Sequence, residues 1–411
     1  MKIAIFTDCY LDLTGGITSS INDDKAELEQ RGHTVYVFSS GFPRSEKERQ
    51  ALAEQNIFPV KSCRVFGRGI VPIARRPGII EKELMRTHPE ISDFDIYYIH
   101  YEAGCSIAGL RLGRKFGVPT IQVMHGREDM GEDRLIPYGL RTVVAVLLNW
   151  FHSWYIPHSV KVHRDDYLAD TLAKAKMWTL MVNHANYADL VVSPSKHFRK
   201  KLQHYGVTRP FEVLPHGLAD ARCEVEVSPR ELMGGEKLRV IWHSRLSGEK
   251  RILPFLTALK ILGRPQEYRL DVYGDGPDGM MARKYAKLHH LPVKFHGDTA
   301  RDKVWRELTL AHLDVLASYN YDNYSMSLVE AAAAGTPVLI ADKDMEEILP
   351  PGSYILSAGP TPEEMAAALA ELLDHPERIA KMSRAAIAGR DTKRISRKID
   401  KFERLARQVK R

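Results

Sequence analysis

Short runs of Val, Ile and other apolar residues alternate with longer helical stretches from one end of this chain to the other, and few folds accommodate that pattern. It is the signature of βα units assembled into parallel sheets. A first series of runs falls at 2–7, 34–39, 96–101, 119–125, 189–193 and 211–215, and a second at 238–244, 269–274, 293–297, 313–318 and 336–341. The runs lack polar alternation, as expected of strands covered on both faces. Between the two series, 217–237 carries Pro229, Gly234, Gly235 and several charges without helical periodicity, and reads as a connection. The sequence therefore predicts an α/β protein of two doubly wound, Rossmann-like domains, 1–216 and 238–390, facing each other across a central cleft. A basic helix over 391–411 follows. Two domains also suit 411 residues at roughly 100 to 200 per domain.

Composition narrows the function classes. With 44% hydrophobic and 27% charged residues the chain is globular, not disordered. Cys9, Cys63, Cys105 and Cys223 are scattered and form no CxxC pair, which argues against a disulfide framework or structural zinc. Asp8 interrupts the N-terminal apolar run before a signal peptide could develop, and no run approaches the roughly 20 apolar residues of a membrane span. The expectation is a cytoplasmic protein, free or peripheral on the inner face of the cell membrane. The net charge of +7 points to an anionic partner. Nine basic and three acidic residues lie in 391–411, so most of the excess is local. Ile395, Ile399, Phe402, Ala406 and Val409 recur there at helical spacing, the mark of an amphipathic helix packed on the body, so no nucleic-acid partner is expected.

Ligands of doubly wound sheets bind beyond the carboxyl ends of the strands, so the residues after each run carry the functional signal. Thr14-Gly15-Gly16 follows the first run, and two glycines there let backbone N–H groups approach a phosphate. His125 follows the run ending at Met124, where an imidazole can hydrogen-bond a sugar hydroxyl. In the second half, Arg245 and Lys250 lie just past a strand end, two cations able to neutralise a diphosphate. Further on, Asp322-Asn323-Tyr324-Ser325-Met326-Ser327 leads into a helix that carries Glu330. N–H groups from Tyr324 to Ser327 suit an anion, and the two carboxylates suit sugar hydroxyls.

Taken in order, these motifs resemble those of the retaining glycosyltransferases of family 4, which share the two-domain GT-B fold. The likeness is strongest from Leu214-Pro215-His216-Gly217, through Ser244-Arg245-Leu246-Ser247-Gly248-Glu249-Lys250, Gly274-Asp275-Gly276-Pro277 and Phe295-His296-Gly297, to the Asp322 and Glu330 pair. It implies that Arg245 and Lys250 bind the donor diphosphate, that Glu330 binds ribose hydroxyls, and that Asp322 holds the transferred sugar. It places Gly15, Gly16 and Gly274 near the phosphates, His125 near the reacting centre, and His296 and Gly297 at the base pocket. It also implies a UDP- or GDP-sugar donor, UDP-glucose being the example in view, retention of configuration, and no cofactor or metal. Three departures stand out: Asp322 replaces the usual Glu, Tyr324-Ser325 stands where Phe-Gly is frequent, and Arg251 where Gly is common. No DxD-type acidic pair stands in a metal-binding context, and Asp165-Asp166 reads as surface charge.

Two segments bear on the acceptor. Lys61, Arg64, Arg68, Arg75, Arg76, Lys82 and Arg86 face only Glu81 and Glu83, and apolar residues are interleaved among them, a composition suited to an anionic membrane surface. In 143–156, Val143, Leu147, Trp150 and Trp154 fall on one helical face, either a core stripe or a membrane anchor. A lipid acceptor, as in the glycosyltransferases that add a sugar to diacylglycerol, leads. An exopolysaccharide or small glycan is the alternative, and a nucleotide-sugar epimerase or non-catalytic binding protein is the alternative of another class.

Overall fold

A computed structural model describes residues 1–9, 16–41, 43, 45–65, 71–74, 76–127 and 138–410. Gly15, Arg68 and Arg75 lie outside the described residues. The chain divides into two compact units, Met1–Pro215 with Lys398–Arg411, and His216–Arg397.

The described strands of the first unit are β1 (Lys2–Thr7), β2 (Thr34–Gly41), β3 (Ile57–Val65), β4 (Val71–Ala74), β5 (Ile96–His100), β6 (Thr120–Val123), β7 (Leu190–Ser193) and β8 (Phe211–Val213). They form one sheet in the order β4-β3-β2-β1-β5-β6-β7-β8, parallel apart from the antiparallel β3–β4 pair. Every residue of β5, β6 and β7 is buried, which is why these runs show no polar alternation. The sequence signal missed β3 and β4, because Pro59, Lys61 and Arg64 interrupt the apolar run. The pairing explains how those residues are tolerated. β3 pairs with β2 over 57–61 and with β4 over 62–65, so Pro59 sits in a half with a single partner strand and can lack its N–H there.

The second unit contains β9 (Leu238–His243), β10 (Tyr268–Tyr273), β11 (Val293–Gly297), β12 (Leu313–Leu316), β13 (Val338–Ile340) and β14 (Tyr354–Leu356). The sheet order is β11-β10-β9-β12-β13-β14, parallel in every pair. Strand order reverses between β9 and β12 here, and between β1 and β5 in the first unit. These are the switch points at which doubly wound sheets take their ligands. The segment 217–237 lies within the second unit and contains the short Asp220–Glu224 helix.

The final helix, Ile395–Val409, belongs to the first unit from Lys398 onward. Ile399, Phe402, Leu405 and Ala406 are buried, and the Phe402 ring lies 4.6 Å from that of Tyr98. Lys398 Nζ donates to both Asp24 carboxylate oxygens at 2.6 Å, with the two side chains 3% and 0% exposed. Lys401 pairs with Glu212 at 3.0 Å and Lys410 with Asp95, so these charges of the basic tail are used inside the fold.

Candidate functional site

In the second unit the candidate residues gather at the switch point. β9 ends at His243, and the chain continues through Ser244, Arg245 and Leu246. It is crossed closely by the loop after β10: a Cβ on Gly274 would lie 2.4 Å from Ser244 O and one on Gly276 2.3 Å from Leu246 O, so only glycine fits either place. Leu246 N–H donates to Asp275 O at 3.0 Å and Asp278 N–H to Leu246 O at 2.9 Å, which ties the two loops together. Lys250 Nζ donates to Asp322 Oδ1 at 2.7 Å and Oδ2 at 2.9 Å, both side chains being 12% exposed. The Ser318 hydroxyl, from the loop after β12, donates to the same carboxylate. Arg245 is the contrast: its side chain is exposed and meets Glu249 at 3.5 Å.

The helix carrying Glu330 spans Met326–Ala334. Asn323 and Tyr324 precede it: Asn323 is buried, and the Tyr324 hydroxyl donates to His216 O at 3.2 Å. Ser325 is the N-cap but makes no side-chain cap bond; its hydroxyl is instead 2.8 Å from that of Ser327. The first-turn N–H groups therefore lack a side-chain cap and remain suited to an anion. The C-terminal end is closed by Gly335 at φ 73°. Glu330 Oε1 accepts from Arg301 Nε at 3.0 Å and is 2.9 Å from Arg301 Nη2, while Oε2 lies 3.6 Å from His243 Nε2. Burial works against this carboxylate, yet His243 and Arg301 hold it below the usual range. His296 Nε2–H donates to Asp271 Oδ1 at 2.7 Å, and the ring stacks on Tyr273 with centroids 4.3 Å apart. These residues line an open cavity of about 480 Å³ along β10 and β11.

In the first unit, His125 is buried beyond β6, its Nε2 2.8 Å from His100 Nδ1. Burial, with help from the Lys398 charge, pushes its pKa down to about 3, so the ring is neutral at ordinary pH. Gly16 is exposed at the start of the Gly16–Gln30 helix. Asp8, just past β1, accepts from the N–H groups of Cys105 at 2.7 Å, Ala103 at 3.1 Å and Ser106 at 3.2 Å, and from the Ser106 hydroxyl at 2.6 Å. It thereby holds the N-terminus of the Gly104–Phe116 helix against the strand ends. Asp165 is no simple surface charge: it accepts from the N–H groups of Tyr167, Leu168 and Ala169 and from the Tyr205 hydroxyl, and so builds a turn.

The helix Arg141–Ser153 decides between the two readings of its apolar stripe. Val143, Leu147, Trp150 and Trp154 are 52% to 55% exposed, whereas the buried residues of this helix are Ala145 and His152. The stripe faces solvent, so the core reading fails. On the other side, Asn149 Nδ2 donates to Lys176 O at 2.8 Å, fastening this helix to Leu172–Tyr187. Arg76 is exposed at the start of the Pro77–Thr87 helix.

Sequence reasoning missed His243, Asp314, Ser318 and Arg301 in one unit, and Asp8 and His100 in the other. The available signal was a charged or polar residue inside or at the end of an apolar strand, such as Asp314 in Leu-Asp-Val-Leu.

Residues 14–222 match the family described as Glycosyltransferase Family 4, and residues 226–389 match Glycosyl transferases group 1. The chain belongs to glycosyltransferase family 4. It is thus a glycosyltransferase of the GT-B fold. It is 24% identical to the alpha-monoglucosyldiacylglycerol synthase of Streptococcus pneumoniae, over 82% of this chain and 70% of that protein. It is also 24% identical to the GDP-mannose-dependent alpha-(1-6)-phosphatidylinositol dimannoside mannosyltransferase of Mycobacterium tuberculosis, over 92% and 89% of the two chains. Among solved structures, Anabaena HepE in complex with UDP superposes with a TM-score of 0.68 at 14% identity, covering 99% of this chain and 100% of that one. TarM superposes at 0.69 and 13%, covering 98% of each. Among the described residues no cluster could hold a metal ion, and no helix is long and apolar enough to cross a membrane.

Proposed function

We propose that this glycosyltransferase moves a hexose from a nucleotide-diphosphate sugar to a hydroxyl of a membrane lipid such as diacylglycerol, with retention, giving an α-linkage. The observation that carries the donor half is the convergence of Lys250, Arg245 and the uncapped Met326–Ala334 helix on one switch point. A nucleoside diphosphate leaves as a stabilised anion and needs positive charge and N–H donors, which these groups supply without a metal. Two carboxylates flanking the bond, the equipment of a hydrolase, are not required. In this reading Asp322, paired with Lys250, takes hydroxyls of the transferred sugar and Glu330 those of the donor ribose. In the transfer step the new C–O bond forms on the face from which the phosphate oxygen departs, and the acceptor hydroxyl proton passes to that phosphate. His125, uncharged, offers a hydrogen bond to a sugar hydroxyl.

The acceptor reading rests on the exposed face of Arg141–Ser153, where Trp150 and Trp154 lie 4.4 Å apart among exposed Val and Leu. Aromatic side chains of this kind sit at headgroup level. Exposed Arg76, Lys161 and Arg164 add charge that favours an anionic, cytoplasmic-leaflet surface. The names of the two curated relatives, both glycolipid enzymes, favour the same acceptor class. A panel of UDP- and GDP-sugars offered with membrane-lipid extract is the test: a glycolipid product supports the proposal. Sugar transfer only to soluble glycans would redirect it to the polysaccharide alternative, and interconversion of the donor without acceptor to an epimerase.

A further inference from the structure

Behind Glu330 lies a buried arrangement that phosphate binding does not use. His243 closes β9, and its side chain is 4% exposed. Its Nδ1 is 3.0 Å from Oδ1 of Asp314, a residue of β12 with a side chain 1% exposed. Its Nε2 points to Glu330 Oε2 at 3.6 Å, beyond hydrogen-bond reach but within ion-pair distance, and neither Nε2 nor Asp314 Oδ2 has a hydrogen-bond partner among the described residues. Carboxylate, imidazole and carboxylate therefore follow one another from β12 through β9 to the Met326–Ala334 helix. Burial alone would keep such a ring neutral, but Asp314 and Glu330 outweigh it and raise its pKa to about 10.

An apolar pair of similar volume would pack this strand junction at no cost in buried charge. A buried Asp–His pair is useful there if it acts on what it faces. Glu330 has two oxygens, and they are divided: Arg301 takes Oε1 from the side, and His243 backs Oε2 from inside the sheet. A carboxylate held from two directions presents its remaining lone pairs in a fixed direction, as recognition of a vicinal diol requires.

We propose that His243, anchored by Asp314, is a positioning residue that fixes the Glu330 carboxylate for the two hydroxyls of the donor ribose. This rests on the reading of Glu330 as the ribose ligand. A structural role alone would affect stability; a positioning role also affects the preference for ribose over 2′-deoxyribose.

Calorimetric titration with UDP, GDP and their 2′-deoxy forms tests it. The unaltered protein should prefer the better-bound ribonucleotide about tenfold or more over its deoxy form, the worth of hydrogen bonds to a charged group. In His243→Gln combined with Asp314→Asn, which leaves no lone buried charge at this pair, the preference should fall to within about twofold, while the melting transition shows the protein folded. A folded double variant that keeps the full preference overturns the inference. Glu330→Gln separates the two levels. If it abolishes the preference while the double variant does not, only the role of His243 fails. If it leaves the preference intact, or if neither UDP nor GDP binds the unaltered protein, the ribose reading fails and the inference with it. Should the double variant not fold, ¹⁵N-histidine NMR of the unaltered protein decides. At about pH 8.5, where ordinary histidines are neutral, one imidazolium signal should persist, shift with the ribonucleotide and shift less with its deoxy form. No such signal, or equal shifts with both, overturns the proposal.

Discussion

The buried histidines of the first unit and His243 of the second differ in charge: the former are neutral and the latter is protonated. In the first unit they pair with one another or with amides. His125 meets His100; His152 lies 2.7 Å from His158 and 3.1 Å from His184, and His184 lies 3.1 Å from Gln122 Oε1. Burial pushes His125 and His184 down to about 3, with Lys398 assisting at His125. In the second unit His243 is buried as deeply, but its neighbours are Asp314 and Glu330, and they raise it to about 10. The neighbours, more than burial, set the charge. The contrast is between sites and not whole units, since His312 of the second unit is also buried and lowered: an uncharged cluster surrounds His125, and matched charges surround His243.

The largest expected effect tests the contrast from the charged side of the first unit, the deeply buried Lys398–Asp24 pair. Burial pushes the Asp24 carboxyl up and Lys398 opposes it. Lys398→Met should destabilise the protein by about 3 to 5 kcal/mol because it strands Asp24 without a partner, and adding Asp24→Leu should recover most of that. Chemical denaturation measures both; an unchanged single variant would mean that this pair does not hold the last helix. Next, Lys250→Ala or Arg245→Ala should lower turnover at least about a hundredfold in initial-rate assays while the fold is retained. Near-normal rates in both would remove the charged site from the chemistry. A smaller effect is expected on the apolar side: Trp150→Ala with Trp154→Ala should weaken flotation with anionic vesicles about tenfold and leave turnover on a water-soluble acceptor analogue little changed. Equal flotation would break the assignment of that helix to the membrane.

Much of the fold is legible in the sequence, and the part that is not has a physical reason. All eleven strands expected from the apolar runs are present; β5, β6 and β7 are buried throughout and admit few polar residues, whereas β10 and β11 carry polar residues where they are exposed. β3, β4 and β14 went unread, the first two since their charges and Pro59 are tolerated where a strand has one partner or lies at the sheet edge, and β14 since this edge strand is only three residues long. Lys250, Asp322 and Glu330 are readable because loops after strands place them in order, and motif order survives in a linear sequence. The His243–Asp314 pair is not readable in that way: the two residues are brought together only by β9 and β12 becoming neighbours through the reversal of strand order. The stripe Val143, Leu147, Trp150 and Trp154 has a clear period, but period alone cannot say whether a face meets protein or solvent.

The smallest effect is the most direct measure of the contrast, because it separates the two units by pH alone. A histidine lowered to about 3 stays neutral in the folded chain while the unfolded chain takes up a proton below about 6.5. Stability from His125 and His184 is therefore complete above about 6.5 and is lost as pH falls toward 3. His243 has the opposite sign. It is charged in the folded protein up to about 10 and loses its proton near 6.5 when unfolded, so its contribution is complete below about 6.5 and is lost as pH rises through that window. Hydrogen exchange resolved by peptide should accordingly show β5 and β6 loosening first on acidification, and β9, β12 and the Met326–Ala334 helix loosening first on alkalinisation. Carboxylates paired in the second unit oppose that order at low pH: Glu330 is held down by His243 and Arg301 and loses this stabilisation only as pH falls below the ordinary carboxylate range. The two effects occupy different windows, so the decisive comparison lies at about pH 5 to 6, where ordinary histidines titrate and ordinary carboxylates do not. Asp8 and Asp24, pushed up by burial, oppose the loosening of the first unit on acidification. If both units loosen together there, the neutral pairing of His125 and His184 is not what distinguishes them.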